Sequence, residues 1–374
     1  VRNIPPVDLK RQYQSVKEEL DRAVLSVLSS GRYIGGATVT DFEQEFASYT
    51  GAEHCVSCNS GTDALYLALR ALNIGFGDEV ITTAFTFIAT AEVISQVGAT
   101  PVFVDIEPTT FNLDCHKIEA AITGKTRAII TVHLFGQPTE MTQLMAIARK
   151  YNLFVIEDCA QATGAIWGRE KVGSIGDVGC FSFFPTKNLG GCGDGGAITS
   201  NNRAIADGIR MLKEHGSRER YLHEAIGVNS RLDSLQAAIL LVKLPYLDQW
   251  NNQRRQVASI YGQLLTGLPY ITLPQELSGG QGVWNQYTIR IAREDQNFES
   301  YRDEVRKRLQ EKGVSSMVYY PLPLHLQPVY RGNHRVGELP LTEKAAHEVL
   351  SLPMFPDMSF EEQQQVVLAL KESL

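Results

Sequence analysis

The side chain best placed for covalent chemistry is Lys187. It stands in Cys180-Phe-Ser-Phe-Phe-Pro-Thr-Lys187-Asn-Leu-Gly-Gly-Cys-Gly-Asp-Gly-Gly196, between an aromatic run and a glycine-dense loop. A lysine amine attacks a carbonyl only when neutral, and burial lowers its pKa toward that form. Upstream, Phe154-Val-Ile-Glu157-Asp158-Cys-Ala-Gln161 reads as a buried strand ending in two acids. Buried acids are costly without a positive partner. This pairing suits pyridoxal phosphate (PLP): the lysine forms a Schiff base, and the acid keeps the pyridinium nitrogen protonated. Taken singly, Lys187 reads equally as a solvated loop lysine, and Asp158 as a helix cap or half of an ion pair.

Other polar segments fall where strands end, which is where open α/β sheets bind ligands. Ser60-Gly61-Thr62-Asp63 opens a short apolar helix, so its N–H groups suit a phosphate. Ser60 or Thr62 is also a plain N-cap. Phe85 and Phe87 each offer a face for a flat ring, or are simply core. Gln161 is placed to reach the cofactor's phenolic oxygen. Ser182 is a phosphate ligand or a small polar strand residue. Asn229-Ser230-Arg231-Leu-Asp233 leads into a helix that is apolar on nearly every face, as in a core or subunit interface. His325, on the proline-stiffened loop Tyr319-Tyr-Pro-Leu-Pro-Leu-His325, is a substrate contact or a capping histidine. His133 is expected to end a strand nearby.

Strand and helix patterns must position these residues. Strands are predicted at 79–83, 100–105, 126–133, 153–157, 180–183 and 196–200, with helices at 16–28, 64–72 and 139–151. Such alternation implies an α/β fold, a mostly parallel sheet sandwiched by helices. The character changes after Asp248. A charged helix (250–265), strands around 285–291 and 313–320, and helices at 298–312 and 360–374 suggest a smaller α+β unit. The expected division is a large PLP-binding domain, 1–248, and a small C-terminal domain, 249–374.

The 374 residues carry a net charge of -7 with no basic block, which disfavours nucleic acid as a partner. No apolar run is long enough to span a membrane. The N-terminus lacks the apolar stretch of a signal peptide. Six scattered cysteines suit a reduced, cytoplasmic protein. Cys55-Val-Ser-Cys58 has the spacing of half a zinc site, but no second Cys/His pair completes one, so no metal is expected. No G-x-G-x-x-G turn follows an early strand, which disfavours a nicotinamide enzyme.

Seven motifs, spread over nearly the whole chain, resemble the DegT/DnrJ/EryC1/StrS aminotransferases, the sugar-nucleotide branch of the fold-type I PLP enzymes. They are Ser60-Gly-Thr-Asp-Ala-Leu, Asp78-Glu-Val-Ile-Thr, Thr86-Phe-Ile-Ala-Thr, Pro101-Val-Phe-Val-Asp, Glu157-Asp-Cys-Ala-Gln, Phe181-Ser-Phe-Phe-Pro-Thr-Lys-Asn-Leu-Gly and Asn229-Ser-Arg-Leu-Asp-Ser-Leu-Gln. The resemblance implies that Lys187 is the Schiff-base lysine, Asp158 the partner of the ring nitrogen, and Gln161 the contact to the phenolic oxygen. It makes Ser60, Gly61, Thr62 and Ser182 phosphate-site residues, and Phe87 the stacking ring ahead of Phe85. Asn229 would reach the phosphate of a neighbouring subunit, implying a homodimer with shared sites.

The implied reaction moves an amino group from L-glutamate to a nucleotide-linked keto-sugar in deoxyamino-sugar biosynthesis. The segments around 229–233 and 320–327 look most like the branch acting on dTDP-3-keto-6-deoxyhexoses; UDP-linked 3-keto uronates and 4-keto sugars stay open. Arg231, Asn285, Tyr319 and His325 are the candidate substrate contacts, with Arg218 and Arg220 as further diphosphate candidates. Asn285 replaces a histidine of many relatives, and Phe184-Pro-Thr186 replaces Tyr-Pro-Gly. The alternatives are a PLP-dependent sugar dehydratase, in which histidine replaces the lysine, and a non-catalytic or regulatory PLP-binding homologue.

Overall fold

A computed structural model describes residues 3–293, 298–332, 335–336 and 338–374. Seven strands build most of the main sheet: β1 (His54–Cys58), β2 (Glu79–Thr83), β3 (Thr100–Val104), β4 (Thr126–Val132), β5 (Phe154–Asp158), β6 (Val178–Ser182) and β7 (Gly196–Ser200). Their residues are almost all buried because helices cover both faces. A second sheet contains β8 (Ile271–Thr272), β9 (Tyr287–Ile291) and β11 (Val349–Leu352), all antiparallel. The two-residue β10 (Arg335–Val336) joins the edge of the main sheet beside β3. The eight-stranded order is β1-β7-β6-β5-β4-β2-β3-β10. The protein is an α/β fold, as the alternation predicts.

Two local expectations change. Residues 313–320 do not form a strand; Val314 and Met317 make isolated bridges to Ile4 and Ser351. The segment touches two different partners one residue at a time, so no ladder can propagate. Also, β7 runs antiparallel to both of its neighbours. No helix separates β6 from β7; the chain simply turns back.

The second core gathers Val257, Tyr261, Leu265, Tyr287 and Ile289 with Ile4 from the other end of the chain. Helix α4 (Leu247–Leu265) starts in the core of the main sheet at Leu247 and ends in this second core. In the other direction, Leu324, Tyr330 and Leu339 pack on Ala84 and Phe103 of the main sheet.

Asp105 ties helix α5 (Pro340–Glu348) to the end of β3. Its buried carboxylate accepts from the Thr342 N–H at 2.8 Å, the Thr342 hydroxyl at 2.7 Å and the Leu341 N–H at 3.2 Å, and pairs with Lys117 at 3.1 Å. Burial works to raise its pKa, but these hydrogen bonds outweigh it and hold the group below the ordinary range. A lowered folded pKa contributes stability above the unfolded value and loses it as pH falls through the folded one. Asp105→Ala should therefore cost about 1–3 kcal/mol in urea unfolding at neutral pH. The difference from wild type should shrink in acid.

Candidate active site

The reversal at β7 creates the site. The chain leaves β6 at Ser182 and re-enters the sheet at Gly196, its direct cross-strand partner. The intervening loop, which carries Lys187, must therefore stay at the sheet's carboxyl edge. Cys58 at the end of β1 also pairs with Gly196, and Asp158 at the end of β5 lies level with Cys180. Topology alone thus brings Ser60, Asp158, Ser182 and Lys187 to one edge.

The turn after β1 is packed tightly. A Cβ on Gly196 would lie 2.3 Å from the Ser60 carbonyl, and one on Gly61 would lie 2.7 Å from the Ser182 Cβ. Only glycine lets helix α1 (Gly61–Ala71) start this close to β6 and β7. The Ser60 hydroxyl caps α1 by accepting from the Asp63 N–H at 3.1 Å. Both readings of Ser60 are thus compatible: it caps a helix whose first turn, with Gly61 and Thr62, faces the edge where Ser182 ends β6.

The two acids of β5 have different fates. Glu157 is fully buried and saturated: it accepts from the N–H groups of Gly173, Ile175 and Gly176 at 2.9, 2.9 and 2.7 Å. His133 completes it. The Thr139 N–H donates to His133 Nδ1 at 3.0 Å, so the ring proton sits on Nε2 and is donated to Glu157 at 3.0 Å. His133, Glu157 and Cys159 lie close enough together to share an ion, but these hydrogen bonds already commit the histidine and the carboxylate. Glu157 is a structural residue.

Among the described residues, Asp158 accepts only from the Thr90 hydroxyl at 2.9 Å and the Ala160 N–H at 3.2 Å. Burial pushes its pKa up, against these bonds and the nearby Lys187. Lys187 is the mirror case: burial pulls its pKa down, and Asp158 opposes. Its amine has no hydrogen-bond or ion-pair partner among the described residues. The two charges sense each other without forming an ion pair. A protonated ring nitrogen against Asp158 and an aldehyde against Lys187 would satisfy both.

Gln161 is oriented by its surroundings. Its Oε1 accepts from the Phe135 N–H at 2.7 Å and its Nε2 donates to the Tyr320 hydroxyl at 3.1 Å. Phe85 has no exposed surface and packs among Phe111, Phe135 and Tyr320. It has no free face for a cofactor ring. Phe87 is 56% exposed and leans on Tyr320, so it is the available platform.

The substrate candidates scatter. Asn285 is buried beside the lysine loop and donates to the Thr186 carbonyl at 3.3 Å, while its own Oδ1 has no partner among the described residues. Tyr319 is half-buried beside Tyr320. His325 is not a free side chain: it is 7% exposed and pairs with Glu343 at 3.0 Å. Leu324, bonded to the Ala84 carbonyl, pulls this turn into the apolar cluster. Asn229 is exposed. Arg231 pairs with Glu214 at 3.1 Å, Arg218 with Glu224 at 3.4 Å, and Arg220 leans on Tyr221. Cys55 and Cys58 enter different core clusters on opposite sheet faces, so one ion cannot take both. Thr90, Phe135 and Tyr320 were missed from sequence. Thr90 lies within Thr86-Phe-Ile-Ala-Thr, but nothing local marks its hydroxyl as the partner of a distant acid.

Because burial raises Asp158's folded pKa, its charge weakens the cofactor-free fold at neutral pH, and that penalty fades as pH falls through the raised value. Asp158→Asn should raise the urea midpoint of cofactor-free protein at pH 8, with the gain vanishing in acid. An unchanged midpoint at pH 8 would mean that Thr90 and Ala160 already compensate the charge.

The model of the DegT/DnrJ/EryC1/StrS aminotransferase family matches residues 14–371. The chain is 49% identical to a "pleiotropic regulatory protein" of Geobacillus stearothermophilus, covering 99% of this chain and 98% of that protein. It is 43% identical to the dTDP-3-amino-3,4,6-trideoxy-alpha-D-glucose transaminase of Streptomyces venezuelae, over 99% and 96% of the two chains. Among solved structures, DesV of S. venezuelae superposes with a TM-score of 0.95 at 43% identity, over 100% and 98% of the two chains. NtdA of Bacillus subtilis, with the cofactor PMP bound, gives 0.90 at 34%, over 100% and 85%. The chain belongs to the DegT/DnrJ/EryC1/StrS aminotransferase family.

Proposed function

We propose that this protein is a PLP-dependent aminotransferase that moves the amino group of L-glutamate onto a nucleotide-linked 3-keto sugar. The observation that carries the proposal is the unpaired, desolvated Lys187 amine beside a buried and undersatisfied Asp158. The NtdA structure supports the cofactor, and the S. venezuelae transaminase supports a dTDP-linked deoxyhexose. When bound, PLP supplies an aldehyde for the lysine and a ring that accepts electrons from the substrate carbon.

The chain's own residues do the rest. Low pKa keeps a fraction of Lys187 neutral for attack at the aldehyde carbon. With its amine free, Lys187 Nζ would take the proton from the donor's α-carbon as base and deliver that same proton, as acid, at the far end of the 1,3-shift. Asp158 holds the ring-nitrogen proton in place, and the buried site keeps that interaction strong. Gln161, fixed by Phe135 and Tyr320, aligns the ring's oxygen edge. Ser60, Gly61, Thr62 and Ser182 form the phosphate cradle.

We further read the exposed hairpin around Tyr221, which is 81% exposed, and the exposed Asn229 as parts of a homodimer contact that completes each site. The same reading keeps the division at residue 248, where the second core draws all but Ile4 of its buried members from beyond that point, and a cytoplasmic location, which six free cysteines support. No helix among the described residues is long and apolar enough to cross a membrane. The regulatory reading draws on the name of the 49%-identical relative. Turnover separates the two.

Purified protein loaded with PLP should be yellow, and glutamate should bleach it; protein that PLP cannot colour would end the proposal. Lys187→Ala should lower turnover of keto-sugar nucleotides by at least about 10³-fold, with an unchanged melting transition. A panel of dTDP- and UDP-linked 3- and 4-keto sugars, with the new amine located by NMR, identifies the acceptor. Mixing Lys187→Ala with Asn229→Ala subunits should restore activity if Asn229 serves the partner's site.

A further inference from the structure

Both neighbours of Lys187 in the chain are held from outside their own loop. The Thr186 carbonyl accepts from Asn285 Nδ2 at 3.3 Å. On the other side, Asn188 Nδ2 donates to Asn251 Oδ1 at 2.7 Å and to the Val283 carbonyl at 2.9 Å. Asn251 is anchored in turn, its Nδ2 donating to the Thr163 carbonyl at 3.0 Å. Three residues further along α4, on the same face, Arg254 donates to the carbonyls of Trp284, Asn285 and Met354 at 3.3, 3.4 and 3.3 Å. Asn188, Asn251, Arg254 and Asn285 are all buried.

This arrangement is costly, so it needs a reason. Arg254 is a guanidinium with no carboxylate partner among the described residues, and desolvation lowers its pKa to about 10. Asn188 and Asn285 each leave a buried Oδ1 without a partner. Packing alone would favour apolar side chains here. What the polar set achieves is directional: it holds the Thr186 carbonyl and the Asn188 side chain, one on either side of Lys187. It also fixes them from α4, the helix that leaves the core of the main sheet at Leu247 and enters the second core at Val257.

We propose that Asn251 and Arg254 are positioning residues: Asn251 through Asn188, and Arg254 through Asn285, set the direction in which the Lys187 amine projects and couple it to the second core. This rests on reading Lys187 as the cofactor lysine. Neither residue touches the reacting atoms; Asn251 acts through the side chain of Asn188, and Arg254 through the backbone of Asn285. A shift of the second core against the sheet would reach Lys187 from both sides.

The test uses PLP-loaded protein and the variants Asn251→Ala, Asn188→Ala and the double variant. The readouts are the pH midpoint of the visible absorbance, kcat and KM for the glutamate half-reaction, and the melting temperature. Each single variant should move the midpoint by about half a pH unit or more. Each should also lower kcat about tenfold while KM changes less than about twofold. The double variant should lose less than the sum of the two singles, because the Asn188–Asn251 bond is already lost in each. Wild-type midpoint and kcat in the single variants, with only the melting temperature lowered, would reduce the network to packing and overturn the proposal. If Asn251→Ala does not fold, Asn188→Ala decides alone on the same two readouts. Wild-type protein that shows no visible absorbance with PLP overturns the cofactor reading, and this proposal with it.

Discussion

Everything at the edge of this sheet turns on two opposite charges that are buried near each other without being joined. Asp158 and Lys187 each lose hydration, and each shifts toward its neutral form. A direct ion pair would remove the tension and with it the reactivity, since a paired lysine is a poor nucleophile and a paired aspartate has no capacity left for a ring nitrogen. The fold prevents the pair by placing the groups on different supports. Asp158 ends a parallel strand and is bonded to Thr90 and Ala160, whereas Lys187 rides a loop whose neighbours are tied elsewhere.

Glu157 makes the contrast plain. It adjoins Asp158 in the chain, is equally buried, and has four donors around it. Alternation along a strand sends the two carboxylates to opposite faces. One face is closed by the 173–176 turn and His133; the other opens at the sheet edge. Identical burial therefore produces a structural acid and a functional one, and only the supply of donors separates them.

Much of the site was legible in the chain because its signals are local. An apolar strand ending in acids, a serine-glycine turn opening a helix, and a lysine between aromatics and glycines each carry their own meaning. Other positions were legible only as options. Phe85 and Phe87 lie on one short segment, yet one is core and the other exposed, because Tyr320 and Phe135 arrive from distant parts of the chain to bury the first. His325 is open in the sequence between a substrate contact and a capping histidine, and the apolar cluster around Leu324 draws it inward to Glu343. The stretch 313–320 has a strand's composition and lacks a continuous partner.

By itself, the sequence determined the alternation that makes an α/β sheet, the chemical types at its edge, and the family to which they belong. These depend on periodicity and on residues adjacent in the chain. The tertiary structure decided that β7 would run antiparallel, which returns the lysine loop to the edge holding Asp158. It also decided that Asn251, on a helix more than sixty residues away, would bond the residue that follows the lysine. Strand direction and long-range hydrogen bonds depend on which partners the collapsed chain brings into register, and no local pattern encodes that choice.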